Sequence, residues 1–77
     1  MKKLNNIPIA DFRKILTALG CHYCRTKGGH EAWKKQGVCR PIIFQNHVNP
    51  VPEMVVKNII RDLGITRDEF LAIYEGI

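Results

Sequence analysis

The apolar residues of this chain follow a helical period near both ends and a strand period in the middle. The first stripe comprises Phe12, Ile15, Leu16 and Leu19. These positions fall at i, i+3, i+4 and i+7, so they predict an amphipathic helix that begins near Pro8 and ends at Gly20. Asp11 complements the positive end of this helix.

A second helix is predicted over residues 52–63, and Gly64 ends it at the position where helices favour glycine. Its apolar face comprises Val55, Val56, Ile59, Ile60 and Leu63. Thr66 and Glu69 then form the pattern of a capping box, which predicts a third helix to about residue 75. We expect residues 66–77 to form a helical extension that is an appendage to the domain.

Three short strands are predicted between the first two helices, over residues 21–26, 30–34 and 40–44. Their connections are short enough for an antiparallel meander. Residues 42–44 are apolar without alternation, so we expect this strand to be the most completely buried. Pro41 indicates an edge strand or a bulge, because proline cannot donate a ladder hydrogen bond.

The order of elements predicts an α+β fold, α-β-β-β-α with a C-terminal helix, in a single domain over residues 1–77. Each main helix has an apolar face to bury, so both are expected on one face of the three-stranded antiparallel sheet. The other face is then open. Residues 1–5 are polar, and we expect them to fray.

Composition supports a single soluble domain. Hydrophobic residues make up 45% of the 77 residues and charged residues 25%, which is typical of a folded chain and not of a disordered one. No apolar run approaches the roughly 20 residues of a membrane span, and no signal-peptide stretch follows the Met-Lys-Lys start. We expect a cytoplasmic protein with no membrane partner.

Positive charge is concentrated before residue 53. Residues 1–52 carry nine Lys and Arg against two acids, whereas residues 53–77 carry three against five. The predicted hairpin and its flanks contribute Arg25, Lys27, Lys34, Lys35 and Arg40. A basic surface of this kind suits a polyanion, although lysines also protect strand edges from pairing, and charge alone does not separate the two explanations.

A tight glycine turn delivers His30 to the start of the second strand. If Trp33 packs inward, strand alternation places Glu31 on the same face and His30, Ala32 and Lys34 on the other. Histidine titrates near neutral pH and can act as a base or an acid. On this pattern alone, however, a polar surface residue is the more frequent outcome.

Metal and nucleotide sites are disfavoured, and we expect no cofactor. The three cysteines are an odd number, and on a strand Cys21 and Cys24 of the C-x-x-C sequence would point to opposite faces. We therefore interpret the cysteines as reduced, small apolar residues. The carboxylates Asp11, Glu31 and Glu53 are scattered over different elements, which disfavours a metal-dependent nuclease.

The run Cys24-Arg25-Thr26-Lys27-Gly28-Gly29-His30, with Gly20 before it and Asn46-His47 after it, resembles the HicA family of small mRNA interferase toxins. The signature of that family is a basic strand followed by Gly-Ser/Thr-His, and the similarity extends from about residue 7 to residue 66. Gly29 departs from it, because the family usually carries a hydroxyl residue there. The resemblance implies a double-stranded-RNA-binding-domain-like fold, in agreement with the order predicted from periodicity.

The resemblance also implies a metal-independent endoribonuclease that cleaves mRNA and is neutralised by a HicB-type antitoxin. His30 matches the catalytic histidine. His47 matches a histidine often found after the third strand, although a loop histidine that caps the backbone explains it equally well. The expected RNA-binding residues are Arg25, Lys27, Gly28, Gly29, Lys34, Lys35 and Arg40.

Two other functions stay open from the sequence. The chain could be a binding module that holds RNA on the same basic face without cutting it, and the missing hydroxyl at Gly29 keeps this alternative open. It could also be an interaction domain whose partner pairs with an exposed strand. Ribonuclease assays on His30→Ala beside the wild type separate the catalytic from the binding function.

Overall fold

The computed structural model describes residues 3–77, and the elements in that range follow the predicted order. They are α1 (Ile9–Ala18), β1 (His22–Lys27), β2 (His30–Lys34), β3 (Ile42–Gln45), α2 (Glu53–Leu63) and α3 (Arg67–Gly76). Each begins and ends close to its predicted position. The α+β class, with α-β-β-β-α followed by a C-terminal helix, is confirmed.

Proline and glycine set the ends of the main helices, as the sequence indicates. Pro8 and Pro52 occupy the N-cap positions of α1 and α2, where a backbone N–H would have no partner within the helix. Gly64 ends α2 with a left-handed φ of 70°. The N–H of Ile9 in the first turn of α1 donates to the side-chain oxygen of Asn49 at 3.0 Å. The loop after β3 is therefore tied to the start of α1.

The strands pair antiparallel in the order β1-β2-β3, so β2 is the central strand. The prediction that β3 is the most completely buried strand is wrong. Ile42 and Phe44 are buried, but Ile43 between them is 48% exposed. The reason is that the helices cover one face only, and Ile43 points to the other. The edge position that Pro41 indicates is confirmed, because β3 is the last strand of the sheet formed by residues 3–77.

Both main helices pack on the same face of the sheet, here called the covered face. Phe12 of α1 meets Phe44 of β3 edge-on, with ring centroids 5.1 Å apart. Val56 and Ile59 of α2 lie in the same buried cluster as Trp33 of β2. The opposite face, here called the open face, carries the alternate residues of the strands.

The third helix is part of the core, so the prediction of an appendage is wrong. Phe70 is fully buried, and its ring centroid lies 6.3 Å from that of Phe12. Tyr74, one turn further on, is also buried. The capping box of Thr66 and Glu69 is confirmed in both of its hydrogen bonds. The helix packs because its apolar face covers hydrophobic surface on α1 and α2 that two helices alone leave open.

The expectation that residues 1–5 fray is wrong for Leu4, which is only 4% exposed and belongs to the core. Residues 1–2 of that segment lie outside the described range. Ile7 is fully buried, and its carbonyl accepts the N–H of Val51 at 2.9 Å in an isolated antiparallel bridge. Apolar side chains in a nominally polar segment therefore hold the N-terminal residues to the loop before α2.

None of the helices formed by residues 3–77 combines the length and the apolar content needed to cross a membrane.

Candidate active site

The turn between β1 and β2 has two residues, Gly28 and Gly29, and joins the paired residues Lys27 and His30. Gly28 has a φ of 60°, whereas the φ of Gly29 lies outside the left-handed region. This combination is that of a type II′ turn, which requires glycine at its first central position only. The turn therefore explains Gly28 and leaves Gly29 to be explained by its surroundings.

His30 is exposed on the open face, as predicted. In the sheet it lies between Lys27 of β1 and Gln45 of β3. Glu31 and Trp33 are hydrogen-bonded to each other on the covered face, whereas His30 and Ala32 line one cavity on the other face, so the alternation of faces that the sequence predicts along β2 is confirmed. A histidine in this position has its ring available to solvent while its backbone is fixed by two neighbouring strands.

A β-bulge in β1 decides which of its side chains share the face of His30. Counted from the turn, a regular strand would place Cys24 opposite Trp33, but the observed register places Tyr23 there. The Tyr23 and Trp33 rings meet edge-on with centroids 6.0 Å apart. The same shift places His22 on the open face, paired with Lys34.

The open face carries a cavity of about 330 Å³, here called the basic cavity. It is lined by Arg25, Lys27, His30, Ala32 and Ile43. Arg25 lies opposite Ala32 in the sheet, and Ile43 lies on the far side of Ala32, so the three form one row across the strands. The lining combines two cations and a histidine with two apolar side chains, and it contains no carboxylate.

The structure gathers only part of the basic set that the sequence predicts. Arg25 and Lys27 line the basic cavity with His30. Lys34 is on the same face, at the other end of β2. Lys35 instead lies beside the first turn after α1, with its Cε 3.9 Å from where a Cβ on Gly20 would be.

Arg40 lies in a second cavity, between β3 and α2, which has a volume of about 370 Å³. Asp62 is also part of that lining, so the charge there is mixed. Arg40 lies in the loop between β2 and β3. Strand periodicity does not predict the path of a loop.

His47 lies against the glycine turn. A Cβ on Gly29 would be 2.7 Å from the Nδ1 atom of the His47 ring and 2.8 Å from its Cε1 atom. The N–H of Asn46 donates to the carbonyl of Gly29 at 2.9 Å, which holds the start of this loop beside the turn. A side chain at position 29 would need the space that the imidazole occupies, and this contact accounts for the second glycine.

Directly behind the open face, Glu31 makes an ion pair that the sequence does not reveal. The Nε and Nη2 atoms of Arg13 donate to its carboxylate at 2.8–3.2 Å, and the indole N–H of Trp33 donates at 2.7 Å. Burial raises the pKa of Glu31, but the hydrogen bonds from Arg13 and Trp33 and the charge of Arg13 outweigh it, so the pKa is lowered. The hydrogen bond to Glu31 raises the pKa of Arg13. The hairpin's one acid is thereby ionised, paired and turned away from the basic cavity.

The cysteines divide between core and surface. Cys21 is buried, and this burial raises the pKa of its thiol, as expected of a small apolar core residue. Cys24 and Cys39 are exposed, which differs from the prediction. Within residues 3–77, no three His, Cys, Asp or Glu side chains are close enough together to hold a metal ion.

Two cavity residues escaped the sequence-based prediction. The sequence pattern predicts that Ile43 lies in a buried strand, but Ile43 is exposed because the helices cover only one face of β3. Strand alternation predicts Ala32 on the face of His30, but its pairing with Arg25 depends on the register. The observed pairing of Lys27 with His30 across the two-residue turn fixes that register.

A comparison with known protein families identifies this arrangement. The family model described as "HicA toxin of bacterial toxin-antitoxin" matches residues 9–65. The chain belongs to the HicA toxin family. The match begins with α1 and ends just after α2, so it contains the hairpin and His47 but not α3. A search of the curated proteins and a search of the solved structures give no match.

Membership of the HicA toxin family makes the chain a toxin of a toxin-antitoxin pair, which implies an antitoxin partner. In this structure α3 closes the core although it lies beyond the matched residues. The matched part of the chain is therefore completed by a helix that lies outside residues 9–65.

Proposed function

We propose that this HicA toxin is an endoribonuclease that cleaves mRNA with His30 and is neutralised by a HicB-type antitoxin. The observation that carries the proposal is the basic cavity, where His30 shares one lining with Arg25 and Lys27. Phosphate cleavage needs a titratable group and positive charge at one place, and this lining supplies both. The resemblance of the hairpin to the family signature supports His30 in the titratable role.

In the proposed reaction, the neutral imidazole of His30 removes the proton from a ribose 2′-hydroxyl. The 2′-oxygen forms a bond to the adjacent phosphorus, and the bond from phosphorus to the 5′-oxygen breaks. Arg25 and Lys27 stabilise the negative charge that develops on the phosphoryl oxygens. The products are a 2′,3′-cyclic phosphate and a 5′-hydroxyl once the leaving oxygen has taken a proton.

His47 is the candidate donor of that proton. Its ring lies against Gly29, the residue immediately before His30, so two imidazoles border one turn. Two histidines with opposite protonation states can serve as base and acid in the same reaction. The reaction requires no metal ion in this form, so cleavage should survive EDTA.

Inducible expression in bacteria tests the proposal, with growth and total mRNA followed over time. The wild type should arrest growth and deplete mRNA, whereas His30→Ala should do neither. His22→Ala is the matched control, because His22 is an exposed histidine on the same face that lies outside the basic cavity. It should arrest growth as the wild type does. A folded His30→Ala protein that is still toxic would refute the assignment, and a wild type that neither arrests growth nor cuts purified mRNA would favour the RNA-binding module.

We further propose that the antitoxin acts by covering the open face. A toxic nuclease with an exposed site needs a covering partner, and His30 is exposed here. Co-expression of a HicB-type protein should restore growth, and in the complex the backbone amides of Gly28 to His30 should exchange hydrogen more slowly. A partner that binds tightly without protecting this turn would act by another mechanism.

A further inference from the structure

The floor of the basic cavity is apolar, which phosphate binding does not require. Ile43 is 48% exposed and lies next to Ala32 across the strands. Ala32 is itself buried, at 9% exposure, so Ile43 is the main apolar surface that a ligand can reach. An exposed isoleucine beside two cations favours a ligand that has both an apolar surface and a negative charge.

A nucleotide with an unpaired base has both properties. Its phosphate is an anion, and the face of its base packs against aromatic or apolar side chains. Arg25 pairs with Ala32 in the sheet and Lys27 pairs with His30, so both cations border the apolar floor on the β1 side. The cavity volume of about 330 Å³ lies at the small end of ligand sites, which span about 300–1,000 Å³.

We propose that Ile43 and Ala32 form a subsite for one unpaired nucleobase, next to the phosphate that Arg25 and Lys27 bind. This inference rests on the proposed function and specifies its substrate as single-stranded RNA. A base inside a duplex stacks on its neighbours and cannot offer its face to a protein surface. The open face of this toxin therefore selects unpaired RNA, although the fold order resembles that of a domain known for binding duplexes.

An aromatic side chain of the antitoxin could also cover an apolar floor, but charge favours RNA. The lining contains Arg25 and Lys27 without a carboxylate, and Glu31 of β2 is paired with Arg13 on the covered face. Ile43 also borders the second cavity, but that cavity combines Arg40 with Asp62 and lacks a histidine. Of these two cavities, only the basic cavity combines an apolar floor with cations that have no carboxylate beside them in the lining.

The test measures binding of short 2′-O-methyl RNA by fluorescence anisotropy, because RNA without a 2′-hydroxyl cannot be cut by the proposed route. Ile43→Ala should bind the single strand about 5-fold more weakly, because the truncation removes part of the apolar surface that packs against the base. Ile43→Leu should restore most of the affinity. Met54→Ala is the matched control, since Met54 is 74% exposed on α2 and lies outside both cavities, and its affinity should equal that of the wild type.

Removing one base from the RNA identifies the contact directly. At one position, an abasic nucleotide should weaken binding to the wild type by the same factor as Ile43→Ala does, and it should have no further effect on that variant. The duplex of the same sequence should bind more weakly than the single strand at equal salt. Unchanged affinity of Ile43→Ala, or equal binding of duplex and single strand, would overturn the subsite.

The outcomes separate this inference from the proposed function. Binding that depends on Ile43 in a wild type that does not cleave RNA would leave the subsite intact and refute the nuclease. If the wild type cleaves RNA and Ile43→Ala binds RNA as tightly as the wild type does, the nuclease is supported and the subsite is refuted. If Ile43→Ala weakened binding of the antitoxin and not of RNA, the floor would be a protein contact and the subsite would be wrong.

Discussion

The two faces of the sheet differ in chemistry although they alternate along one strand. On the covered face of β2, Glu31 and Trp33 are buried and hydrogen-bonded to each other, and Arg13 completes the group. On the open face, His30 and Lys34 are exposed, with no hydrogen bond to hold their side chains among those of residues 3–77. Neighbouring residues thus serve different purposes: one set stabilises the fold, and the other is available to a ligand.

This division predicts that the stability of the fold and the activity on RNA depend on different side chains. Substitutions on the covered face should change the free energy of unfolding, and substitutions on the open face should change RNA binding or cleavage. The experiments below test the division, from the largest expected effect to the smallest.

Phe70→Ala should lower the free energy of unfolding by about 3–5 kcal/mol, because it leaves a cavity beneath α3. A loss of that size is a large part of the stability expected for 77 residues, at about 0.05–0.15 kcal/mol per residue. Ile43→Ala on the open face should change it by no more than about 0.5 kcal/mol. Urea denaturation measures both. A small effect of Phe70→Ala would mean that α3 is an appendage after all.

Glu31→Gln should destabilise the fold by about 1–3 kcal/mol at neutral pH, since it removes a buried charge-assisted hydrogen bond. The matched control is Glu53→Gln, which breaks an exposed pair with Lys57 and should cost no more than about 0.5 kcal/mol. Urea titrations at one pH compare the two. Equal costs would show that burial on the covered face adds nothing.

The pH dependence of stability should carry the signature of Glu31. Its pKa is lowered from 4.5 in the folded state, so its stabilisation is present above that ordinary value and is lost as pH falls through the folded value. Unfolding measured from neutral pH downward should therefore show an acid loss that Glu31→Gln lacks. The same acid profile in both proteins would contradict the pairing with Arg13.

Removing two charges from the open face should weaken RNA binding and its dependence on salt. For Arg25→Ala with Lys27→Ala, the slope of log K against log salt should fall by about 1.4, at about 0.7 per phosphate contact on a single strand. Lys35→Ala with Arg40→Ala removes the same charge from residues outside the basic cavity. This second pair should change the slope less. Equal slopes for the two double variants would mean that net charge, and not the open face, determines binding.

Gly29→Ala should show the smallest effect and should report on His47. The φ of Gly29 suits alanine, so the contact with the His47 ring is the expected source of strain. Urea denaturation measures the change in the free energy of unfolding that Gly29→Ala causes. This change should be more favourable by about 0.5 kcal/mol or more in a His47→Ala background than in the wild type. The same effect in both backgrounds would show that the ring does not occupy this space.

Local signals predicted the helices and the alternation of β2, but not the contacts between distant segments. Pro8, Gly64 and the capping box at Thr66 act within a few residues, so periodicity and end signals are sufficient for them. The burial of Leu4 and Phe70 depends on which surfaces remain uncovered after the main helices pack. No pattern within the N-terminal segment or α3 contains that information.

The features of the candidate site also divide into those that follow from the local sequence and those that depend on distant contacts. The pairing of Lys27 with His30 across a two-residue turn follows from the hairpin itself, and it places His30 on the open face. The ion pair of Glu31 joins residues 18 positions apart, and the contact between His47 and Gly29 crosses two strands and a loop. These contacts depend on tertiary packing, as does the separation of Lys35 and Arg40 from the basic cavity.

The most direct test of the division compares two neighbouring residues in the same assays. RNA cleavage and the free energy of unfolding are measured for His30→Ala and Glu31→Gln, at a temperature where both proteins are folded. We predict that His30→Ala loses cleavage while its free energy of unfolding changes by no more than about 0.5 kcal/mol. We predict the opposite for Glu31→Gln, which should be less stable and still cleave RNA. A folded His30→Ala protein that cleaves RNA as the wild type does would contradict the account.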